Sequence, residues 1–168
     1  MGSALPVVAT PDPVLTRPAN EVDPLDPAVI ALADDLVETM RVSPGCVGLA
    51  ATQVGVPSRV FVLDVTGHKK AVSCAGLVVL VNPRLVSASD FVPGREGCMS
   101  VPDFTGDVAR ATSVVVRGLA PGTGEELTYA ADAFEARAFQ HELDHLDGLL
   151  FLNRVSGAHA IYPRKRYL

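Results

Sequence analysis

Apolar residues Ile30, Ala33, Val37 and Met40 recur three or four positions apart, the spacing that turns one face of an α-helix toward a core. Asp26 followed by Pro27 reads as an N-cap with proline at the first helical position, and Ser43-Pro44-Gly45 stops the run. The pattern predicts a helix from Pro27 to Arg41. Short β-branched or aromatic runs then follow at Arg59 to Val65, Leu77 to Val81, Thr112 to Arg117 and Glu126 to Tyr129, separated by Gly, Pro and Asn, and they read as strands. Pro121-Gly122-Thr123-Gly124 makes the last two a hairpin. From Asp132, with Glu135 placed as in a capping box, the pattern is helical until Gly148 and predicts a second helix over Ala133 to Asp147. Phe134, Ala138, His141 and His145 share one stripe of that helix, at the spacing of a buried face. The opening from Pro6 to Pro24 is punctuated by proline and is expected to lie extended over the surface.

Strands first and a helix last imply an α+β fold, with small, mostly antiparallel β-sheets packed around the C-terminal helix and a second helix near the N-terminus. With 168 residues, no internal repeat and no linker-like stretch, the expectation is one domain over 1–168. A content of 48% hydrophobic and 20% charged residues, with mean hydropathy +0.29, excludes a disordered chain. No apolar run reaches the roughly 18 residues of a membrane span, and no basic-then-apolar secretory pattern is visible. A net charge of −5 argues against direct DNA binding, and the only basic run is Arg164-Lys165-Arg166. Three cysteines form an odd set, so a disulfide framework is not expected and a reducing cytoplasm is.

The chemistry concentrates in His141-Glu142-Leu143-Asp144-His145. Helical geometry sets the two histidines about 6 Å apart along the axis and nearly in register, so both imidazoles can reach one metal. Glu142 stands about 100° round the helix, beside a metal rather than on it, where a base belongs. The competing reading is a helix that happens to carry two core histidines, but burying both without partners costs about 2 to 3 kcal/mol each. A hydrolytic metal usually takes three protein ligands and keeps one position open. Cys98 in Glu96-Gly97-Cys98-Met99-Ser100 offers the third ligand, with a small buried hydrophobe as its alternative role. For Cys46 and Cys74 that alternative is the expectation.

Three segments, Cys46 to Gln53 (CVGLAATQ), Glu96 to Ser100 (EGCMS) and Gln140 to Gly148 (QHELDHLDG), resemble the three signature motifs of the peptide deformylase family in order and spacing. The resemblance extends from Pro11-Asp12-Pro13 to the C-terminal region. It implies a metallo-hydrolase of protein biosynthesis that processes N-terminal methionine by removing the formyl group from nascent formyl-Met polypeptides, releasing formate. It implies Cys98, His141 and His145 as metal ligands, Glu142 as general base, and the Gln53 amide with the Met99 backbone N–H as donors to the formyl oxygen. Gly48 and Leu49 would hold the peptide by backbone edges. The implied cofactor is one divalent metal, Fe(II) favoured, with Zn(II), Ni(II) or Co(II) possible in purified protein. A transient ribosome contact through Arg164, Lys165 and Arg166 is expected of the family, with a solvated terminus as the alternative.

Four positions depart from the family pattern. Cys46 replaces a glycine and Met99 a leucine, both mild changes. Thr105 stands where a substrate-binding arginine is expected, and Arg137 where the side-chain pocket is normally aliphatic. These two leave open a deformylase-like metal-binding protein with altered substrate or low activity. A zinc endopeptidase shares the HExxH helix but needs a later ligand. His159 is the only downstream histidine, and Phe151 occupies the position that a longer metzincin motif would require to be His.

Overall fold

The computed structural model describes residues 2–164. Helix α1, Pro27–Val42, begins as its sequence dictates: Asp26 Oδ1 accepts from the Ala28 N–H at 2.9 Å, with proline at the first helical position. Its fully turned-in face is Val29, Ala33, Leu36 and Met40, so Ile30 and Val37 only flank the stripe expected from periodicity. That face packs on strand β2, Val60–Leu63, which is buried along its whole length. Alternation is absent because both sides of β2 are covered, by α1 on one and by helix α2, Ala133–Leu146, on the other.

The remaining strands are β1 (Gly48–Ala50), β3 (Val78–Cys98), β4 (Val101–Leu119), β5 (Glu126–Asp132) and β6 (Ile161–Pro163). They join in the order β1-β2-β3-β4-β5, with β6 added to β4, and every ladder between named strands is antiparallel. The α+β expectation holds. The β4–β5 hairpin forms where its turn residues place it. The strands expected at Leu77 to Val81 and Thr112 to Arg117 are the inner ends of a much longer hairpin, because β3 and β4 continue past them and meet at Cys98 and Val101. Register shifts at Val81/Arg84, Leu85/Ser87 and Gly97/Cys98 interrupt the ladder, and bulges of this kind re-aim side chains.

Helix α2 is central, with ten of its fourteen residues buried, so a single amphipathic stripe understates how it is used. Ala136, Phe139, Leu143 and Leu146 face the sheet, where Phe139 meets Phe61 with ring centroids 6.0 Å apart. Truncating Phe139 to alanine would cost about 3 to 5 kcal/mol by loss of burial and cavity formation. The capping box expected at Asp132 and Glu135 does not form. Asp132 Oδ1 accepts from the Ser73 N–H, and Glu135 accepts from Ser73 Oγ at 2.8 Å and the Ala75 N–H at 2.7 Å, so both carboxylates clasp a neighbouring loop. At the other end Gly148 has φ 79°, and a Cβ there would meet the Arg17 backbone at 2.8 Å.

The opening segment is more than a surface strap. Leu15, in a 3₁₀ turn over Pro13–Thr16, is fully buried. The Val8, Thr10 and Ala19 N–H groups donate to the carbonyls of Gln53, Ser100 and Leu146, tying this segment to all three motif regions. Among the described residues no helix is long and apolar enough to cross a membrane.

Candidate metal centre and active site

Helix α2 presents His141 and His145 one turn apart, with ring centroids 4.9 Å from each other. Cys98 closes β3 at the last register shift, and its Sγ lies 3.3 Å from His145 Nε2. One donor atom from each of Cys98, His141 and His145 falls within 4.8 Å of the others. Two imidazoles and a thiolate form a borderline-soft set suited to Zn(II), Fe(II), Co(II) or Ni(II) in a tetrahedral site with one open position. Burial opposes ionisation of the Cys98 thiol, yet the rings of His145 and His141 outweigh it and hold the thiol well below its ordinary range. His141 is pushed well above its ordinary value, because Cys98 and Glu96 outweigh the burial that disfavours an imidazolium.

Glu142 follows His141 on the helix and is 3% exposed, and its Oε1 has no hydrogen-bond partner. His145 Nδ1 is likewise buried without one. Burial pushes the Glu142 carboxyl up, against the pull of the two imidazoles. A buried carboxylate oxygen with an unused lone pair beside this donor cluster has the chemistry of a proton acceptor. Room for it depends on Gly48, where a Cβ would stand 2.6 Å from Glu142 Oε2.

A second layer of charge holds the ligands. Glu96 accepts from His141 Nδ1 at 2.8 Å, which leaves Nε2 facing the centre, and takes two bonds from Arg110 at 2.8 and 3.0 Å. Arg110 also donates to Asp144, which binds Arg154 as well. Burial would raise the Glu96 carboxyl, but hydrogen bonds from His141 and Arg110 hold it down at about 2. Sequence reading passed over Glu96, Arg110 and Asp144 as functional residues. The available signal was that Glu96 and Asp144 lie inside two of the motifs.

The remaining expected residues gather around a cleft of about 250 Å³. Gln53, in the 3₁₀ turn Ala51–Val54, is 2% exposed; its Oε1 accepts from the Ala50 N–H, and its Nε2 donates to Ser100 Oγ at 3.2 Å and lies 3.3 Å from Cys98 Sγ. Met99 sits at the tip of the β3–β4 hairpin and lines the cleft. Gly48 and Leu49 lie on β1, which among the described residues pairs with one strand, β2; on β1 the Gly48 carbonyl accepts from Cys46 Sγ at 3.1 Å, and the Leu49 side chain is fully buried, leaving only its backbone for contact. Arg137 turns to Glu96 Oε2 at 2.8 Å and to the carbonyls of Val108 and Val92, over Gly94, where a Cβ would meet its Nη2 at 2.7 Å. It therefore forms a wall of the cleft with its charge satisfied.

Of the other two cysteines, the expectation for Cys74 needs correction, whereas Cys46 packs partly buried against the core under α1. Cys74 is exposed rather than a buried hydrophobe, because its loop is held by polar bonds to Asp132 and Glu135 and not by apolar packing. Cys46 is half-buried, and burial together with the Glu142 charge pushes its thiol up to about 12, the reverse of Cys98. His159 is exposed beside Ser156 and lies outside the donor cluster, which removes the ligand an endopeptidase would need. Of the basic run, Arg164 lines the cleft, while Lys165 and Arg166 lie outside the described residues.

The profile of the family described as polypeptide deformylase matches residues 4–160. The peptide deformylase of Halothermothrix orenii is 46% identical over 144 residues, covering 86% of this chain and 88% of its own length. That of Desulforudis audaxviator is 44% identical over 160 residues, covering 95% and 96%. Among solved structures, peptide deformylase from Ehrlichia chaffeensis in complex with actinonin superposes with a TM-score of 0.83 at 36% identity, covering 92% of this chain and 90% of that one. The Thermotoga maritima peptide deformylase gives 0.81 at 32% identity, covering 92% and 99%. Fold, motif order and the convergence of the donor set all agree with this likeness, and the chain belongs to the polypeptide deformylase family.

Proposed function

We propose that this chain removes the N-formyl group from formyl-Met at the start of nascent polypeptides, releasing formate and a free amine. The observation that carries the reading is the unpartnered, buried Oε1 of Glu142 beside the Cys98, His141 and His145 donor cluster. A divalent ion held by those three residues would supply Lewis acidity and bring the pKa of water down toward neutrality.

The rest is the work of this chain. Glu142 takes the proton of the attacking water and returns it to the departing amine, a role worth roughly 10² to 10⁴-fold in rate. The Met99 backbone N–H, and the Gln53 Nε2 on exchanging its bond to Ser100 Oγ or Cys98 Sγ, donate to the formyl oxygen as charge builds on it, one such donor being worth about 3 kcal/mol. The backbone of Gly48 and Leu49 on β1 holds the peptide extended, as an added strand. Glu96 keeps the His141 ring oriented throughout.

Fe(II) is the metal favoured in this reading, the work is cytoplasmic, and residues 1–168 act as one catalytic domain. Any ribosome contact would draw on Arg164, Lys165 and Arg166. Reversing the charge of those three residues without changing ribosome association would discard that element alone. The alternative, a metal-binding relative with little turnover, draws on Thr105 and Arg137. Anaerobically Fe(II)-loaded protein incubated with formyl-Met-Ala-Ser should release formate catalytically; stoichiometric metal with no formate would favour the alternative. Equal rates on formyl-Met and formyl-Ala peptides would show that Arg137 has removed the methionine preference.

A further inference from the structure

Three arginines line the cleft, and two of them are already committed. Arg95 donates to Asp107 at 3.0 Å and to Thr105 Oγ1 at 3.4 Å, with its guanidinium 3.7 Å above the Tyr162 ring. Arg137 is bound to Glu96 and to two backbone carbonyls. Arg164 differs. Its backbone N–H donates to the Asp103 carbonyl at 2.8 Å, extending the β6 ladder by one residue, but its guanidinium has no hydrogen bond or ion pair among the described residues.

Its placement follows from the sheet. Strand β6 runs antiparallel to β4 with Tyr162 opposite Thr105 and Pro163 opposite Phe104, which brings the next residue back toward the tip of the β3–β4 hairpin. There the Arg164 Nη2 occupies the space that a Cβ on Gly97 would fill, and the Thr105 Cγ2 lies 3.3 Å from the same point. Gly97 directly precedes Cys98, and Arg164 shares the cleft with Gly48 of β1. Thr105 itself is not among the residues lining the cleft, and its hydroxyl accepts from Arg95.

We infer that Arg164 is a substrate-binding residue, donating to a backbone carbonyl of the peptide beyond the formylated residue from a position that the Thr105 side chain does not fill. The inference rests on the deformylation reading. A guanidinium offers a planar fork of donors and no acceptor, so it suits a carbonyl or carboxylate far better than the weakly accepting thioether of a methionine side chain. It should therefore act on substrates that possess the second residue and be indifferent to those that lack it. On this account β6 delivers part of the binding site.

The test compares Arg164→Ala, Arg164→Lys and the double variant Arg164→Ala/Thr105→Arg with the metal-loaded wild type, on formyl-Met-Ala-Ser and on formyl-Met amide. For Arg164→Ala, KM on the tripeptide should rise about 10- to 100-fold with kcat within about threefold, the signature of lost ground-state and transition-state binding alike. On formyl-Met amide the two proteins should match. Arg164→Lys should fall between, and Thr105→Arg should recover part of the loss. An unchanged KM would overturn the inference, as would an equal loss on both substrates. A lower KM would overturn it too, showing that Arg164 obstructs the cleft. Calorimetric binding of the product Met-Ala-Ser gives the same comparison without turnover. Absence of formate release by the wild type would instead sink the deformylation reading.

Discussion

Helix α2 and strand β3 each carry part of the donor set, and they hold it by different means. On α2 the backbone hydrogen-bond ladder alone sets His141 and His145 one turn apart, and Glu142 falls beside them for the same reason. Cys98 ends a 21-residue strand that is exposed through much of its middle and broken by register shifts, so nothing local fixes its sulfur. It is held from outside: Glu96, two residues earlier, is gripped by Arg110 and Arg137, and Arg110 is anchored to Asp144 of α2. The helix supplies the chemistry with inherent precision, whereas the hairpin must be fastened to the helix through buried charge.

The largest effect should come from the helix. Glu142→Ala should leave the metal-to-protein ratio unchanged while formate release falls by up to about 10⁴-fold. Metal analysis beside single-turnover assays checks this, and near wild-type turnover would remove Glu142 from its role. On the hairpin side, Arg110→Ala leaves the buried Glu96 and Asp144 carboxylates without their shared partner. Urea unfolding should show a loss of about 3 to 5 kcal/mol.

Acid should loosen the same fastening. The folded Glu96 carboxyl is held at about 2 against an ordinary 4.5, so its stabilising contribution is complete above the ordinary value and is lost as pH falls toward the folded one. The stability gap between wild type and Glu96→Gln should therefore narrow steadily from about pH 5 to about pH 2. A gap that stayed constant would show that the carboxylate's charge is not what holds the hairpin. The smallest effect belongs to Arg137→Met, which removes one of several donors to Glu96 and should cost about 1 to 2 kcal/mol by the same urea measurement.

The same contrast decides what could be read in advance. Helix α2, the inner strands and the β4–β5 turn follow from periodicity and turn residues, because local preference and tertiary packing agree there. The outer hairpin was illegible. Asn82 and Asp90 adopt positive φ, Pro83, Pro93 and Gly94 interrupt the β pattern, and the middle of β3 is too exposed for hydrophobic alternation to mark it. At the centre, motif spacing singles out Cys98, His141, His145 and Glu142 as candidates, and the first three are the residues whose donor atoms cluster. Glu96 with Arg110 was not legible, since a buried ion pair spanning two strands has no sequence period. Asp132 and Glu135 misled for a related reason: the spacing of a capping box says nothing about a loop, at Ser73 and Ala75, that competes for the same carboxylates.

X-ray absorption at the metal edge of the Zn(II)-loaded protein addresses the shared site directly. The account predicts one ion per chain with a single sulfur at about 2.3 Å and two imidazole nitrogens at about 2.0 to 2.1 Å, the sulfur vanishing in Cys98→Ala. A coordination shell without sulfur in the wild type, or with more than one, would contradict the convergence of β3 and α2 on one metal.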